Sequence, residues 1–282
     1  MTTSTSGSST SGPAPSGPFV SRKLAELSGP AAAAALTADS IIVIPTGAIE
    51  HHGAHLPLST DALLAETYAT AAVERGAAEG LDIWILPTLT YTKSDEHHWA
   101  PGTVWLSWET LMATLVDIGR SIANTPARKL VFMNGHGGNG APLQVANREL
   151  RRRFGLSTFT MSAGIQRAGS GGADGADELG LGIHAGHGET SLVLHVRPDL
   201  VDMSKAERNI PEHIAEMEFI GFNNKPVSFG WMSNDFGPSG VIGDPTGATS
   251  EAGAALFEES VTRSLAALHE IDRFSHAVPP RD

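Results

Sequence analysis

The chain has 282 residues, with 31 acidic and 19 basic side chains, a formal net charge of −12 and no cysteine. The acidic balance argues against nucleic acid or an anionic membrane as partner, and no stretch approaches the roughly 20 apolar residues of a membrane span. Without cysteine, a disulfide scaffold, a Cys-ligated zinc site and a thiol nucleophile are excluded, and we expect a cytoplasmic protein.

The first 20 residues differ in composition from the rest of the chain. They are mostly Ser, Thr, Gly and Pro, and such a segment buries too little apolar surface to offset the entropy lost on ordering. Having neither a basic nor an apolar region, it does not resemble a signal peptide. We therefore predict a disordered tail over 1–20 and a single domain over 21–275.

Short apolar runs alternate with longer amphipathic segments in the rest of the chain. Strands alternating with helices predict an α/β fold whose sheet is mostly parallel and has helices on both faces. Ligands bind such sheets beyond the carboxyl ends of the strands. The runs predict strands at 41–45, 83–86, 129–133, 158–161 and 191–196. The segments predict helices in part of 24–36 and at 61–78, 108–123, 141–154 and 251–268. Asp61 and Asn139 are candidate caps for the helices that follow them.

The loop after the first predicted strand carries three metal-ligand side chains. Glu50, His52 and Asp61 offer one imidazole and two carboxylates, and Asp61 could bridge two divalent ions. Burying such a loop is costly unless its charges are paired or metallated. The alternative is a polar surface loop.

Three further segments repeat this composition. His136 lies between glycines after a strand, which lets the backbone turn tightly, and a phosphate loop is the alternative there. Glu189 is a further candidate metal carboxylate, and His184 or His187 could carry a proton. In the segment 94–103, Glu96 is either a substrate-facing residue or a partner of a ligand histidine. Three carboxylates and two divalent ions balance once a hydroxide is added, which favours two metals.

The motifs together resemble the creatininase (creatinine amidohydrolase) family. They are Gly-x-x-Glu-x-His-Gly-x-His-Leu-Pro-Leu-x-Thr-Asp at 47–61, Asn-Gly-His-Gly-Gly-Asn at 134–139 and His-x-Gly-x-x-Glu-Thr-Ser at 184–191. Glu-His-x-x-x-Pro-Gly-Thr at 96–103 and Gly-x-x-Gly-Asp-Pro-Thr at 240–246 are similar to further family motifs, so the likeness spans about 35–270.

The resemblance implies a three-layer α/β/α domain that hydrolyses C–N bonds of amides at a dinuclear centre of zinc, manganese or iron, and a homohexamer. It places Glu50 and His136 on one metal, His52 and Glu189 on the other, and Asp61 between them. His184 matches a family histidine that handles protons. Creatininase has Glu where this chain has Gly138, so this chain is closer to a wider branch that includes a deformylase and a peptidase acting on a precursor peptide.

Our hypothesis is a dinuclear metal-dependent amidohydrolase acting on C–N bonds other than ordinary peptide bonds, in which a metal-bridging hydroxide attacks an amide, expected to be cyclic, a formamide or a small peptide. One alternative is a non-catalytic protein that binds a small ligand or a metal on the same scaffold. Another is a single-metal lyase or isomerase with Glu96 and His97 as acid and base. The Gly-rich segment 168–182 is either a linker or a lid. We expect catalytic roles for His184, Glu96 and His97, and substrate contacts from Trp99, Gly137, Gly138 and His187.

Overall fold

A computed structural model describes residues 21–164, 178–222 and 225–277. The predicted tail over 1–20 and most of the predicted linker or lid, residues 168–177, lie outside these ranges. The single domain over 21–275 stays a prediction.

Four parallel strands form the sheet in the described part of the chain. Their order is β2-β1-β3-β4, so the first strand lies inside the sheet and pairs with β3 over its full length. The strands are β1 Ile41–Thr46, β2 Ile83–Ile85, β3 Lys129–Asn134 and β4 Ser157–Ser162. The helices are α1 Gly29–Ala35, α2 Thr60–Ala78, α3 Trp108–Ala123, α4 Gly140–Phe154, α5 His187–Val196, α6 Glu212–Ala215 and α7 Ser250–Arg273.

The sheet separates two apolar cores. Ile41 and Val43 of β1 face α2, α5 and α7, whereas Ile42 and Ile44 face α3 and α4. This alternation follows from the two-residue repeat of a strand, and burial on both faces explains why the first five residues of β1 are apolar. The prediction of an α/β fold with helices on both faces of a parallel sheet is confirmed.

The strand predicted at 191–196 is wrong, because these residues form most of α5. The run Ser-Leu-Val-Leu-His-Val is too short for its period to distinguish a buried strand from a buried helix. Thr190, Ser191 and Val193 are buried on this helix, which packs against α7. The polar segment before it therefore lies at the start of a helix.

The cap predicted at Asp61 is wrong, and the cap predicted at Asn139 is correct in position but not in its hydrogen bond. Helix α2 begins at Thr60, so Asp61 lies inside its first turn. Asn139 occupies the N-cap position of α4, but its side chain makes no capping hydrogen bond and instead donates to the Gly47 carbonyl, 3.1 Å away. Both side chains are thereby turned toward the strand ends.

The segment after α5 is largely irregular. Its residues Ile210 and Ile214 form a small third core with Leu181, which precedes α5, and Phe222, Phe229 and Phe236 pack against this core. Within the described ranges, none of the helices has both the length and the apolar character needed to cross a membrane.

Candidate metal centre

Seven titratable side chains converge where β1 and β3 end. Because these strands are parallel neighbours, the loops that follow them start at one edge of the sheet, and the first turns of α2 and α5 lie beside them. All but one of the seven residues are buried, which is costly unless their charges are compensated. They are Glu50, His52, Asp61, His97, His136, His184 and Glu189.

Asp61 lies between two histidines that come from different loops. Its Oδ1 is 3.1 Å from Nε2 of His52, and its Oδ2 is 3.0 Å from Nδ1 of His136. Oδ2 is buried, and Nδ1 of His136 is a donor to it only when that ring is protonated on both nitrogens. The two oxygens of one carboxylate thus face two separate groups, as a bridging ligand requires.

Glu50 is also divided between two groups. Its Oε2 accepts a hydrogen bond from Ser94 Oγ at 2.6 Å and lies 3.2 Å from Nδ1 of His136. Its Oε1 lies 3.6 Å from Nε2 of His97, 3.6 Å from Nδ1 of His184 and 3.8 Å from Nε2 of His52. Glu189 is 4.0 Å from His52 and accepts the backbone N–H of Ala185 at 2.6 Å.

Backbone carbonyl groups determine the tautomers of three of the histidines. His52 Nδ1, His136 Nε2 and His184 Nε2 lie 3.1, 2.7 and 2.7 Å from the carbonyl oxygens of Glu50, Lys93 and His51. A carbonyl oxygen only accepts, so each of these nitrogens carries the hydrogen. The other ring nitrogen of each histidine points its lone pair, or a second proton, into the cluster.

The buried carboxylates favour the protonated, positively charged forms of His52 and His136. Burial lowers the pKa of His52, but Asp61, Glu189 and Glu50 outweigh burial and raise it to about 10. Burial also opposes charge on His136, yet Glu50 and Asp61 raise its pKa well above the usual value. By contrast, burial and the charges of His52 and His97 keep the pKa of His184 well below its usual range. Without a metal, His52 and His136 are therefore protonated, while His184 is neutral.

The spacing of the donor atoms suits a divalent cation. Donor atoms about 2.1 Å from a tetrahedral zinc ion lie about 3.4 Å from one another. The contacts of His136 with Asp61 and Glu50, at 3.0 and 3.2 Å, are close to this spacing. The two divided oxygens of Asp61 and the oriented imidazoles therefore suit a metal.

A cavity of about 390 Å³ adjoins the cluster. Three members of the cluster line it, His136, His184 and Glu189, together with polar groups such as Asn134 and Ser162. The described lining includes neither lysine nor arginine. The volume lies within the range of small-ligand sites.

The residues predicted to contact the substrate differ in their position relative to the cavity. Gly137 lines the cavity, whereas Trp99, Gly138 and His187 are not part of its described wall. Trp99 donates from Nε1 to Ser233 Oγ at 2.8 Å, and both ring nitrogens of His187 are buried without a hydrogen-bond partner in the described part of the chain. Glu96 lies 3.4 Å from Nε2 of His136, on the opposite side of the ring from Glu50 and Asp61.

Glu178 is a residue of this region that the sequence analysis did not single out. Its Oε1 accepts the backbone N–H of His187 at 3.0 Å and that of Asp244 at 2.7 Å, and so ties the start of α5 to a distant loop. A Cβ atom added at Gly182, Gly186 or Gly243 would lie 1.9, 2.4 or 2.9 Å from the Glu178 carboxylate. In the sequence, these glycines were the only sign that a side chain is packed closely here. That this side chain is Glu178 is visible only in the structure.

Comparison with known proteins gives concordant results. The family model described as creatinine amidohydrolase matches residues 25–268. A mycofactocin precursor peptide peptidase of Mycobacterium ulcerans (strain Agy99) is 36% identical over 224 residues, which cover 78% of this chain and 81% of the relative. A mutant creatininase of Zn-Zn type matches with a TM-score of 0.71 at 27% identity, and a manganese creatininase with 0.70 at 26%. Each match covers 90% of this chain and 100% of the other.

Proposed function

The chain belongs to the creatininase family of amidohydrolases, and we propose that it is a dinuclear metal-dependent hydrolase of an amide C–N bond. The observation that carries this proposal is the division of Asp61 between His52, at 3.1 Å, and His136, at 3.0 Å. Glu50, His136 and Asp61 would hold one cation, and His52, Glu189 and Asp61 the other. When bound, the cations supply Lewis acidity toward the amide carbonyl and toward water.

His184 is the proton carrier in this proposal. Its Nε2–H is used by the His51 carbonyl, so Nδ1 is the atom that takes a proton and passes it to the leaving nitrogen. A neutral imidazole is required to accept the proton, and burial of His184 opposes its charged form and lowers its pKa. His184 also lines the cavity, where a substrate would reach it.

The substrate we favour is a peptide-type amide. The cavity of about 390 Å³ is lined by several glycines and by Asn134 and Ser162, which can hydrogen-bond to amide groups. The relative from Mycobacterium ulcerans is named as a peptidase of a precursor peptide. A panel of short peptides, formamides, cyclic ureides and creatinine, assayed with zinc-, manganese- and iron-loaded protein, tests this choice. Faster turnover of creatinine than of any peptide would contradict it.

Replacement of the bridging carboxylate tests the proposed centre. We expect Asp61→Ala to abolish hydrolysis and lower the metal content from two ions per chain, without unfolding the protein. Circular dichroism and elemental analysis provide the two readouts. Near-normal turnover and metal content in the variant would refute the mechanism. Tight metal binding without hydrolysis of any amide in the panel would instead favour the non-catalytic binding protein.

A homohexamer and a cytoplasmic location stay predictions.

A further inference from the structure

Lys93 makes two contacts that connect Glu96 to His136. Its carbonyl oxygen accepts the Nε2–H of His136 at 2.7 Å, and its ammonium group lies 3.0 Å from Oε2 of Glu96. The other oxygen of Glu96 is 3.4 Å from the same Nε2. The protonated face of the His136 ring is therefore enclosed by one carbonyl and one carboxylate, while Nδ1 faces Glu50 and Asp61.

Gly138 leaves the space that this carboxylate occupies. A Cβ atom built on Gly138 would lie 2.1 Å from Oε1 of Glu96 and 2.4 Å from Nε2 of His136. The backbone of Gly138 is not among the positive-φ positions, so glycine is needed there for space and not for conformation. Gly140, two residues later, has no atom within 4 Å of such a Cβ.

We propose that Glu96 is a positioning residue that holds the His136 ring with Nδ1 toward the metal, and that this role requires glycine at position 138. A carboxylate beside the N–H of a ligand histidine orients the ring and makes it a stronger donor. Glu96 itself lies beyond the ring from Glu50 and Asp61 and is not part of the described cavity lining, so it acts through His136 and not on the substrate. The inference rests on the proposed metal centre.

Two substitutions perturb Glu96 in different ways. Glu96→Gln keeps the size of the side chain and removes its charge, whereas Gly138→Ala keeps the charge and displaces the carboxylate. We expect each to weaken the binding of Co²⁺ about tenfold and to shift the visible absorption bands of the bound ion. Because the methyl group of Gly138→Ala also crowds Nε2 of His136, the double variant should bind Co²⁺ at least as weakly as Gly138→Ala alone.

Matched neighbours supply the controls. Asp95→Asn removes the other carboxylate that pairs with Lys93, at 2.6 Å, and Gly140→Ala adds a methyl group to open space. Both should retain wild-type Co²⁺ affinity and spectra, and thermal unfolding of the metal-free variants checks that each is folded.

The outcomes separate this inference from the proposed function. Wild-type affinity and spectrum in Glu96→Gln would overturn the role of Glu96. Wild-type affinity in Gly138→Ala would overturn the requirement for glycine. A wild-type protein that binds no Co²⁺ would refute the metal centre itself.

Discussion

His55 illustrates how burial makes a single residue sensitive to pH. The side chain is 2% exposed, and its Nε2 lies 3.0 Å from Thr190 Oγ1. Burial, aided by the charge of His52, lowers the pKa of His55 to about 4. The group is therefore neutral in the folded protein over a range in which it is charged in the unfolded chain.

This shift predicts a loss of stability in mild acid. The unfolded state binds a proton near pH 6.5 and the folded state only near 4, so stability is fully present above 6.5 and falls as the pH drops toward 4. The contribution of His55 is on the order of 3 kcal/mol. His55→Gln should remove it, and denaturant unfolding of metal-free protein between these pH values measures the difference. His213→Gln, at an exposed site, is the control, and parallel curves for wild type and His55→Gln would contradict the shift.

At the level of elements, the contact between α5 and α7 positions part of the centre. Helix α5 carries Glu189 in its first turn, and Gly253 of α7 faces its backbone. A Cβ atom at Gly253 would lie 1.9 Å from the carbonyl oxygen of Ser191. Neither backbone can yield as a flexible side chain would, so the helices would have to separate.

We predict opposite effects for two helix glycines. Gly253→Ala should destabilise the protein by about 1–3 kcal/mol despite the better helix propensity of alanine, because overpacking outweighs the propensity gain. It should also lower metal content through Glu189. Gly140→Ala, in open space at the start of α4, should be neutral or stabilise by up to about 1 kcal/mol. Thermal and denaturant unfolding compare the two, and equal effects would show that the α5–α7 contact is looser than described.

The elements show which parts of the fold the sequence could predict. The strands β1 and β3 contain five and four consecutive apolar residues, rich in β-branched or aromatic side chains and bounded by polar loops, which is typical of buried strands. The apolar run at 191–196 is equally short, and only its packing against α7 makes it helical. The local sequence pattern therefore predicts the strands of the sheet. It does not predict that Glu189 lies at the start of a helix.

The centre as a whole depends on loops far apart in sequence, and this limits what could be predicted. Ligand chemistry predicted Glu50, His52, Asp61 and Glu189, and the family resemblance added His136; the five side chains lie close together, and their role as ligands stays a prediction. The backbone carbonyl groups that orient the imidazoles could not be predicted from residue types, because every residue has such a group. The placement of Glu96 behind His136 and the burial of Glu178 likewise depend on the whole chain.

The ligands join β1, α2, β3 and α5 at one point, so metal binding should stabilise the whole molecule. Without metal, these elements bring three carboxylates together, with protons on His52 and His136 as compensation. A cation that binds only the folded state adds about 2.7 kcal/mol at a concentration 100 times its dissociation constant. We expect EDTA to lower Tm, and added Zn²⁺ or Mn²⁺ to raise it in a concentration-dependent way. Asp61→Asn should lose most of this response, and an equal shift in that variant would place the stabilising metal elsewhere.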